Sequence, residues 1–242
     1  MIGNRLKRIL MRAADKTIVR MTAFLVSRVR ACHRNVVEMV IQNALVDSAE
    51  YAECQMKEAL YFRSKEDLWE FALSHVELGG IVAEFGVFDG YSINYLARKL
   101  GRGVTVYGFD SFEGLREDWK GHILEAGAFS RGGRLPKVVR NVELIKGWFD
   151  QTLPEFVARH PEKFSFVHID SDTYQAARSV LAAIGHNLQK GTVVVFDEYF
   201  GFRGWRLGEW KAWKEYVESR SMKYEYLAFA KEQVAIKITE AG

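Results

Sequence analysis

Short apolar runs alternate with amphipathic stretches from residue 79 onward. Each run is four to six residues long and rich in Val, Ile and Phe, which is typical of a buried β-strand. The runs are Ile81–Phe85, Val104–Phe109, Val142–Ile145, Phe164–Ile169 and Thr192–Phe196. Strands that alternate with helices in this way predict a parallel, doubly wound α/β sheet with helices on both faces.

The first third of the chain has a helical pattern instead. Apolar residues recur every three or four positions from Val36 to Leu45 and again from Leu60 to Leu73, which predicts two to four helices. No stretch between residues 35 and 78 has the composition of a linker. We therefore expect a helical N-terminal extension, residues 1–54, followed by the main domain, residues 55–242.

Composition adds few constraints. With 242 residues, 48% hydrophobic, 27% charged and 3 Pro, the chain is typical of a globular protein and unlike disordered or collagen-like sequences. Two cysteines, Cys32 and Cys54, are too few for a disulfide framework, which favours a cytoplasmic location. No apolar run approaches the roughly 20 residues needed to cross a bilayer.

The net charge of +3 conceals a strongly basic N-terminus. Residues 1–34 contain nine Lys or Arg and one Asp. Apolar residues at helical spacing among them predict a basic amphipathic helix. We expect it to pack on its own domain or across a homo-oligomer, with an anionic membrane surface as an alternative and nucleic acid a less favoured partner.

The loop after the first run carries the first chemical signal. Gly86 and Gly90 have the spacing G-x-x-x-G rather than the G-x-G-x-x-G of dinucleotide-binding proteins. Glu84 and Asp89 beside the loop would repel a phosphate and attract a positively charged nucleoside, such as S-adenosyl-L-methionine. The alternative is a purely structural strand-to-helix turn.

Two later strand ends complete a nucleoside site. Asp110, which ends the second run, is placed to accept hydrogen bonds from ribose hydroxyls, although a helix-capping role is an alternative. Gly147, Trp148 and Phe149 follow the third run and offer an aromatic surface for adenine. Core packing is the alternative for these two aromatic residues.

The fourth and fifth runs both end in carboxylates, Asp170 on one and Asp197 with Glu198 on the other. If the two strands are neighbours, the three acids converge and repel one another, which favours a bound divalent cation such as Mg²⁺. Separate ion pairs with Arg residues are the alternative. His168 points to the same side of its strand as Asp170, and we interpret it as a core residue or, less favoured, as a base.

At these residues the sequence resembles the class I S-adenosylmethionine-dependent O-methyltransferases. Residues 81–100 resemble the nucleotide motif of the catechol O-methyltransferase group, whereas His168–Tyr174 and Phe196–Tyr199 are most similar to the macrocin O-methyltransferase-like sugar methylases. The resemblance implies a Rossmann-like, seven-stranded sheet that closes with an antiparallel hairpin over Tyr226–Phe229 and Val234–Ile238. It also implies that Glu84, Gly86, Gly90 and Ser92 contact the methionyl part of the donor, that Asp110 contacts the ribose, and that Asp170, Asp197 and Glu198 bind the metal. Together with Phe88 in the loop and with Gly147, Trp148 and Phe149 after the third run, these residues make up the predicted donor site.

The sequence departs from the catechol group at one position. Thr173 stands where that group has a catalytic Lys, so we expect Asp170 or Asp172 to accept the proton. The predicted function is metal-assisted transfer of a methyl group to a hydroxyl of a sugar or glycosylated metabolite. The alternatives are methylation of a phenolic or other small-molecule hydroxyl, or a nonenzymatic module that binds nucleic acid or membranes.

Two further segments bear on the acceptor. Residues 112–138 are rich in Gly and are expected to form a lid over the donor. Residues 199–206 combine aromatic rings with Arg203 and Arg206. They are expected either to stack on a sugar ring or to pack beneath the following helix.

Overall fold

Eight strands form a single sheet in the part of the chain that this computed structural model describes, residues 19–25, 28 and 35–242. The strands are β1 (Leu60–Tyr61), β2 (Ile81–Phe85), β3 (Val106–Asp110), β4 (Val142–Lys146), β5 (Phe164–Ile169), β6 (Val193–Phe196), β7 (Lys223–Ala230) and β8 (Gln233–Glu240). Their order is β1-β7-β8-β6-β5-β2-β3-β4. Strand β8 is antiparallel to both β6 and β7, whereas the other neighbouring pairs are parallel.

Helices cover both faces of the sheet. They are α1 (Val36–Gln55), α2 (Lys65–Ser74), α3 (Tyr91–Leu100), α4 (Phe149–Arg159), α5 (Tyr174–Ile184) and α6 (Glu209–Arg220), with short 3₁₀ turns at Gly185–Asn187 and Trp205–Leu207. Buried residues of α4, α5 and α6 share one hydrophobic core, and those of α2 and α3 share the other. The predicted doubly wound α/β fold is confirmed.

Local sequence explains where two site-bordering helices begin. Ser64 caps α2 by accepting a hydrogen bond from the Asp67 backbone N–H at 3.1 Å. Thr173 caps α5 in the same way, through the backbone N–H of Ala176. Such caps satisfy backbone donors that the first helical turn leaves unpaired. The second cap fixes the point at which the chain leaves the acidic segment after β5.

The predicted strand count of seven is one too low. The additional strand is β1, two exposed residues that pair in parallel with β7 at the edge of the sheet. So short a segment has no alternation of apolar and polar positions to mark it, and only pairing with β7 makes it a strand. The predicted closing hairpin is present as β7 and β8.

The chain divides into two compact units, Met1–Val46 and Asp47–Gly242. Helix α1 contributes to both, and its C-terminal part is bound within the second unit, where Gly201 N–H donates to Ser48 Oγ at 2.9 Å. Of the basic segment, residues 1–34, only residues 19–25 and 28 are described, so most of the predicted basic helix lies outside the described residues. Among the described helices, none combines the length and apolarity required to cross a membrane.

The ends of β2 and β5 approach each other very closely at Gly86. A Cβ atom on Gly86 would lie 1.6 Å from the carbonyl oxygen of Asp170, and the residue has φ +96°. The Asp170 N–H also donates to the carbonyl of Phe85 at 2.9 Å. Glycine is therefore required here by the neighbouring backbone as well as by the turn.

Gly86→Ala is expected to destabilise the fold, because the added methyl group forces the two strand ends apart. We expect a loss of unfolding free energy of about 2 kcal/mol beyond the backbone cost alone. Gly127→Ala is the matched control, since Gly127 has φ +86° and open space at the Cβ position. Chemical denaturation of both variants measures the difference, and equal losses would contradict the proposed clash.

Candidate active site

A cavity of about 510 Å³ opens at the carboxyl ends of the parallel strands. It is lined by residues that follow β2, β3, β4, β5 and β6. The chain reverses its direction of winding between β2 and β5, and ligands of open α/β sheets bind at such a switch point. Five separate strand ends thus contribute to one pocket.

Most of the predicted donor-binding residues line this cavity: Gly86, Phe88, Ser92, Asp110, Gly147, Trp148 and Phe149. Glu84 and Gly90 are not among its lining residues. Glu84 is fully buried beneath the loop, where Oε1 accepts a hydrogen bond from Ser92 Oγ at 3.0 Å and Oε2 lies 2.9 Å from His168 Nδ1. Its position indicates that it supports the loop from below.

Asp110 holds the loops on either side of it. Its Oδ2 accepts hydrogen bonds from the backbone N–H groups of Val87 at 2.9 Å and Phe88 at 2.8 Å, and its Oδ1 accepts from Phe112 N–H at 2.6 Å. Phe88 and Phe112 both have left-handed backbones, with φ of 47° and 58°. The carboxylate therefore stabilises two strained turns, and Oδ1 keeps a second acceptor position.

The Gly-rich segment after β3 covers part of the cavity. Phe129 from this segment packs edge-on against Phe88, with ring centroids 5.5 Å apart. Arg116 lies over the Trp148 ring at 4.3 Å and forms a 2.9 Å ion pair with Asp150. All five of these residues line the cavity. The segment therefore borders the cavity, and its closure over the donor as a lid stays a prediction.

Acidic side chains converge at the other end of the cavity. Ligand atoms of Asp170, Asp172 and Glu198 lie within 4.8 Å of one another, and those of His168, Asp170 and Asp197 form a second such group. The predicted set of Asp170, Asp197 and Glu198 is thus divided between two groups that share Asp170. The sequence predicted that these three acids lie together, but it did not identify Asp172 as a metal ligand.

Burial and mutual repulsion shift the pKa values of these acids. Burial, followed by the negative charge of Asp197, raises the pKa of both Asp170 and Glu198 well above the usual range. The same causes, with Asp110, raise the pKa of Asp172 to about 7. Asp172 also has a left-handed backbone, with φ 62°. Several acids held apart from water in this way favour a compensating cation.

The residues fit a hard divalent cation. Glu198 Oε2 is buried without a hydrogen-bond partner among the described residues, and an unpaired buried carboxylate oxygen is costly. Carboxylate oxygens are the ligands that Mg²⁺ prefers. Asp170, Asp172 and Glu198 would hold such an ion, with Asp197 next to them.

His168 lies between two carboxylates and is fully buried. Its Nδ1 is 2.9 Å from Glu84, and its Nε2 is 3.3 Å from Asp197 Oδ1, an ion-pair distance without hydrogen-bond geometry. Burial lowers the pKa of His168, but Asp197 and Glu84 outweigh that effect and raise it to about 10. The ring is therefore protonated at neutral pH, which argues against the base role.

His168 in turn keeps Asp197 charged. Burial raises the pKa of Asp197, yet the charge of the neighbouring His168 ring, which lies within ion-pair distance, brings it below the usual value. Gln233 at the start of β8 also donates from Nε2 to Asp197 Oδ1. Asp197 is therefore an ionised carboxylate among acids that are more readily protonated.

Three residues at the site were not singled out from the sequence. Glu209 contacts the loops after both β5 and β6. Gln233 contacts Asp197, and Lys65 lines the cavity while its Nζ lies 5.1 Å from the Trp69 ring centroid and 5.5 Å from that of Tyr91. Each comes from an element outside the strand-end motifs, so no local pattern marked it.

The aromatic residues after Glu198 are core residues. Tyr199, Phe200, Phe202 and Trp205 are buried in the hydrophobic core, and Arg206 pairs with Asp47 at 2.8 Å. Of the two expectations for residues 199–206, packing within the protein is confirmed for these aromatic side chains. They do not provide a surface for stacking on a sugar ring.

The sheet order, with its antiparallel hairpin at β7 and β8 and a cavity at the switch point, is that of the class I methyltransferases. Residues 83–199 match the protein family described as "Methyltransferase domain". The match indicates that the protein is an enzyme with a methyltransferase domain over these residues, as the resemblance implied. A comparison with curated proteins found no match.

Solved structures with the same fold are distant in sequence. CalS11, described as a calicheamicin methyltransferase, has a TM-score of 0.57 and 20% identity over 71% of this chain and 77% of that chain. The apo structure of CalS11, described as a TDP-rhamnose 3'-O-methyltransferase, gives 0.51 and 21% over 71% and 78%. The O-methyltransferase NovP gives 0.52 and 20% over 72% and 78%.

Asp110→Asn is expected to weaken binding of S-adenosylhomocysteine about tenfold or more. An amide has one acceptor oxygen, so it cannot receive hydrogen bonds from both turns, and a charge-assisted bond is lost. Isothermal titration calorimetry measures the affinity. Asp118→Asn is the control, because Asp118 accepts one backbone N–H within the lid and does not line the main cavity. Unchanged affinity in Asp110→Asn would contradict this role.

Proposed function

We propose that the protein transfers the methyl group of S-adenosylmethionine to a hydroxyl oxygen of a sugar or glycosylated small molecule, assisted by a divalent cation. The observation that carries this proposal is the pairing of two features in one cavity. The half of the cavity that is formed by the glycine loop and aromatic side chains suits a nucleoside. The half that contains the acidic side chains suits a cation. A nonenzymatic module is not favoured, because the chain contains a methyltransferase domain.

The donor would lie along the ends of β2, β3 and β4. Asp110 would accept from the ribose through the free acceptor position of Oδ1, and Trp148 with Phe149 would border the adenine. The acidic cavity suits the sulfonium and ammonium charges. Lys65, held over the Tyr91 ring at the start of α3, is the cation available for the methionyl carboxylate.

The acceptor would lie beside the acids that follow β5 and β6. The cavity wall there includes Thr173, Gln175 and Ser179, together with Glu117 from the lid. These polar groups suit an acceptor with several hydroxyls better than a flat phenol. The fold similarity to CalS11 and NovP supports the same class of acceptor, and a phenolic or other small hydroxyl remains the alternative.

When bound, S-adenosylmethionine supplies the methyl group and a divalent cation supplies positive charge that lowers the pKa of an acceptor hydroxyl. Asp170, Asp172 and Glu198 would hold the cation, and Asp172 would accept the hydroxyl proton. The lid residues Arg116 and Phe129 would exclude water while the acceptor is held in line with the donor.

We also propose that the enzyme acts in the cytoplasm as a homo-oligomer and that residues 1–54 are a basic helical extension, whose last residues, from Asp47, belong to the second compact unit. Membrane association through that extension is an alternative that its charge supports. Nucleic acid is the less favoured partner.

Metal dependence is the first test. Methyl transfer to a panel of sugars, nucleotide sugars and catechols is measured with radiolabelled donor, with Mg²⁺ or with excess EDTA. We expect transfer to a sugar-bearing acceptor that EDTA abolishes and Mg²⁺ restores. Full activity in EDTA would contradict the metal role, whereas transfer to catechols alone would contradict the acceptor class.

Asp172→Asn tests the proton acceptor. An amide cannot take a proton, so kcat at saturating Mg²⁺, where the weaker ligand is compensated, is expected to fall about 100-fold or more while the affinity for S-adenosylhomocysteine is retained. In the unmodified enzyme, kcat is expected to fall as the pH drops through the pKa of Asp172, because the base must be deprotonated; a bound cation places that pKa below the value of about 7. Full activity in this variant would show that another group accepts the proton.

A further inference from the structure

One buried carboxylate contacts both loops that carry the acids. Glu209, the first residue of α6, has no exposed surface. Its Oε1 accepts hydrogen bonds from the backbone N–H of Ser171 at 3.0 Å and from Ser171 Oγ at 3.1 Å, and its Oε2 accepts from the backbone N–H of Glu198 at 3.2 Å. Both oxygens of the side chain are therefore engaged, one with each loop.

The hydrogen bonds of Glu209 lie just beyond the end of the pairing between β5 and β6. The last paired positions of β5 and β6 are Ile169 and Phe196, and one further backbone bond joins Asp197 N–H to Ile169 at 2.9 Å. Ser171 lies between Asp170 and Asp172, and Glu198 directly follows Asp197. A link between Ser171 and Glu198 consequently fixes the backbone next to all four acids.

The chemistry requires a carboxylate at this position. A carboxylate accepts hydrogen bonds on both oxygens, whereas an amide of the same shape accepts on one and presents N–H groups on the other. Glutamine at this position would therefore present N–H groups, in place of an acceptor oxygen, to the backbone N–H of one of the two loops.

We propose that Glu209 is a positioning residue that sets the spacing of the two acid-bearing loops and thereby the affinity for the divalent cation. The inference rests on the proposed function for the identity of the ligand. Glu209 does not itself line the cavity, so it acts through the loops that it joins. None of these hydrogen bonds joins Glu209 to the donor half of the cavity, which is formed by the ends of β2, β3 and β4.

The test measures Mn²⁺ affinity by calorimetry for the unmodified protein and for Glu209→Gln, with S-adenosylhomocysteine affinity and melting temperature measured in parallel. Loss of an acceptor facing a buried N–H is expected to weaken Mn²⁺ binding about tenfold or more. The affinity for S-adenosylhomocysteine is expected to stay within about twofold. Glu218→Gln is the control, an exposed acid on the same helix, and should change neither affinity.

A graded pair of variants keeps the proposal testable if Glu209→Gln does not fold. Ser171→Ala removes one of the three bonds, and Glu209→Asp retains two acceptor oxygens on a shorter side chain. Both should lie between the unmodified protein and Glu209→Gln in Mn²⁺ affinity.

Two results would overturn the role of Glu209. One is Mn²⁺ binding that stays unchanged in every Glu209 variant that folds, and the other is an equal loss of both affinities. Failure of the unmodified protein to bind S-adenosylhomocysteine would instead count against the proposed function, and the comparison of Mn²⁺ affinities would still decide the role of Glu209.

Discussion

The site is organised by the repulsion among buried and half-buried carboxylates at the ends of two adjacent strands. Asp170, Asp172, Asp197 and Glu198 all line one cavity, and like charges this close are tolerated only when protons, hydrogen bonds or a counter-ion compensate them. The described residues supply part of that compensation. His168 and Gln233 stabilise the charge of Asp197, whereas burial favours protonation of Asp170 and Glu198. The remaining excess of negative charge is what a divalent cation would neutralise.

The same contacts join the two halves of the cavity. Ser92, which lines the donor side, donates to Glu84, and Glu84 in turn contacts the His168 ring, which reaches Asp197. This series of side-chain contacts crosses the central strands, from the loop after β2 to the acids after β6. Because Glu84 and His168 at its centre have no exposed surface, the position of the donor loop and the position of the acids are linked through the packed interior.

Much of this arrangement could be predicted from sequence, because it depends on strand ends. Buried parallel strands have continuous apolar sequences, and the residues that follow them meet at one edge of the sheet. That reasoning located Asp110, Trp148, Asp170, Asp197 and Glu198. The closing hairpin was also predicted correctly, and so was the position of a Gly-rich segment beside the cavity, since β-rich and Gly-rich segments have local signatures.

The remaining features depend on contacts between elements that are distant in sequence. Glu209 at the start of a helix resembles an ordinary first-turn acid, and only the packing of α6 against the two loops shows that it is buried. His168 has the sequence context of a core histidine until Glu84 is found opposite it on β2. Glu84 was expected at the donor for the same reason that Asp110 was, yet its strand position directs it beneath the loop. Strand β1 is defined by its partner and not by its own two residues.

The most direct test is anomalous diffraction from crystals grown with S-adenosylhomocysteine and Mn²⁺. We expect a single strong Mn²⁺ peak at coordination distance from carboxylate oxygens of Asp170 and Glu198, with the adenosyl group along the ends of β2, β3 and β4. An Mn²⁺ peak elsewhere, no peak at these acids, or an adenosyl group outside the cavity would contradict this expectation.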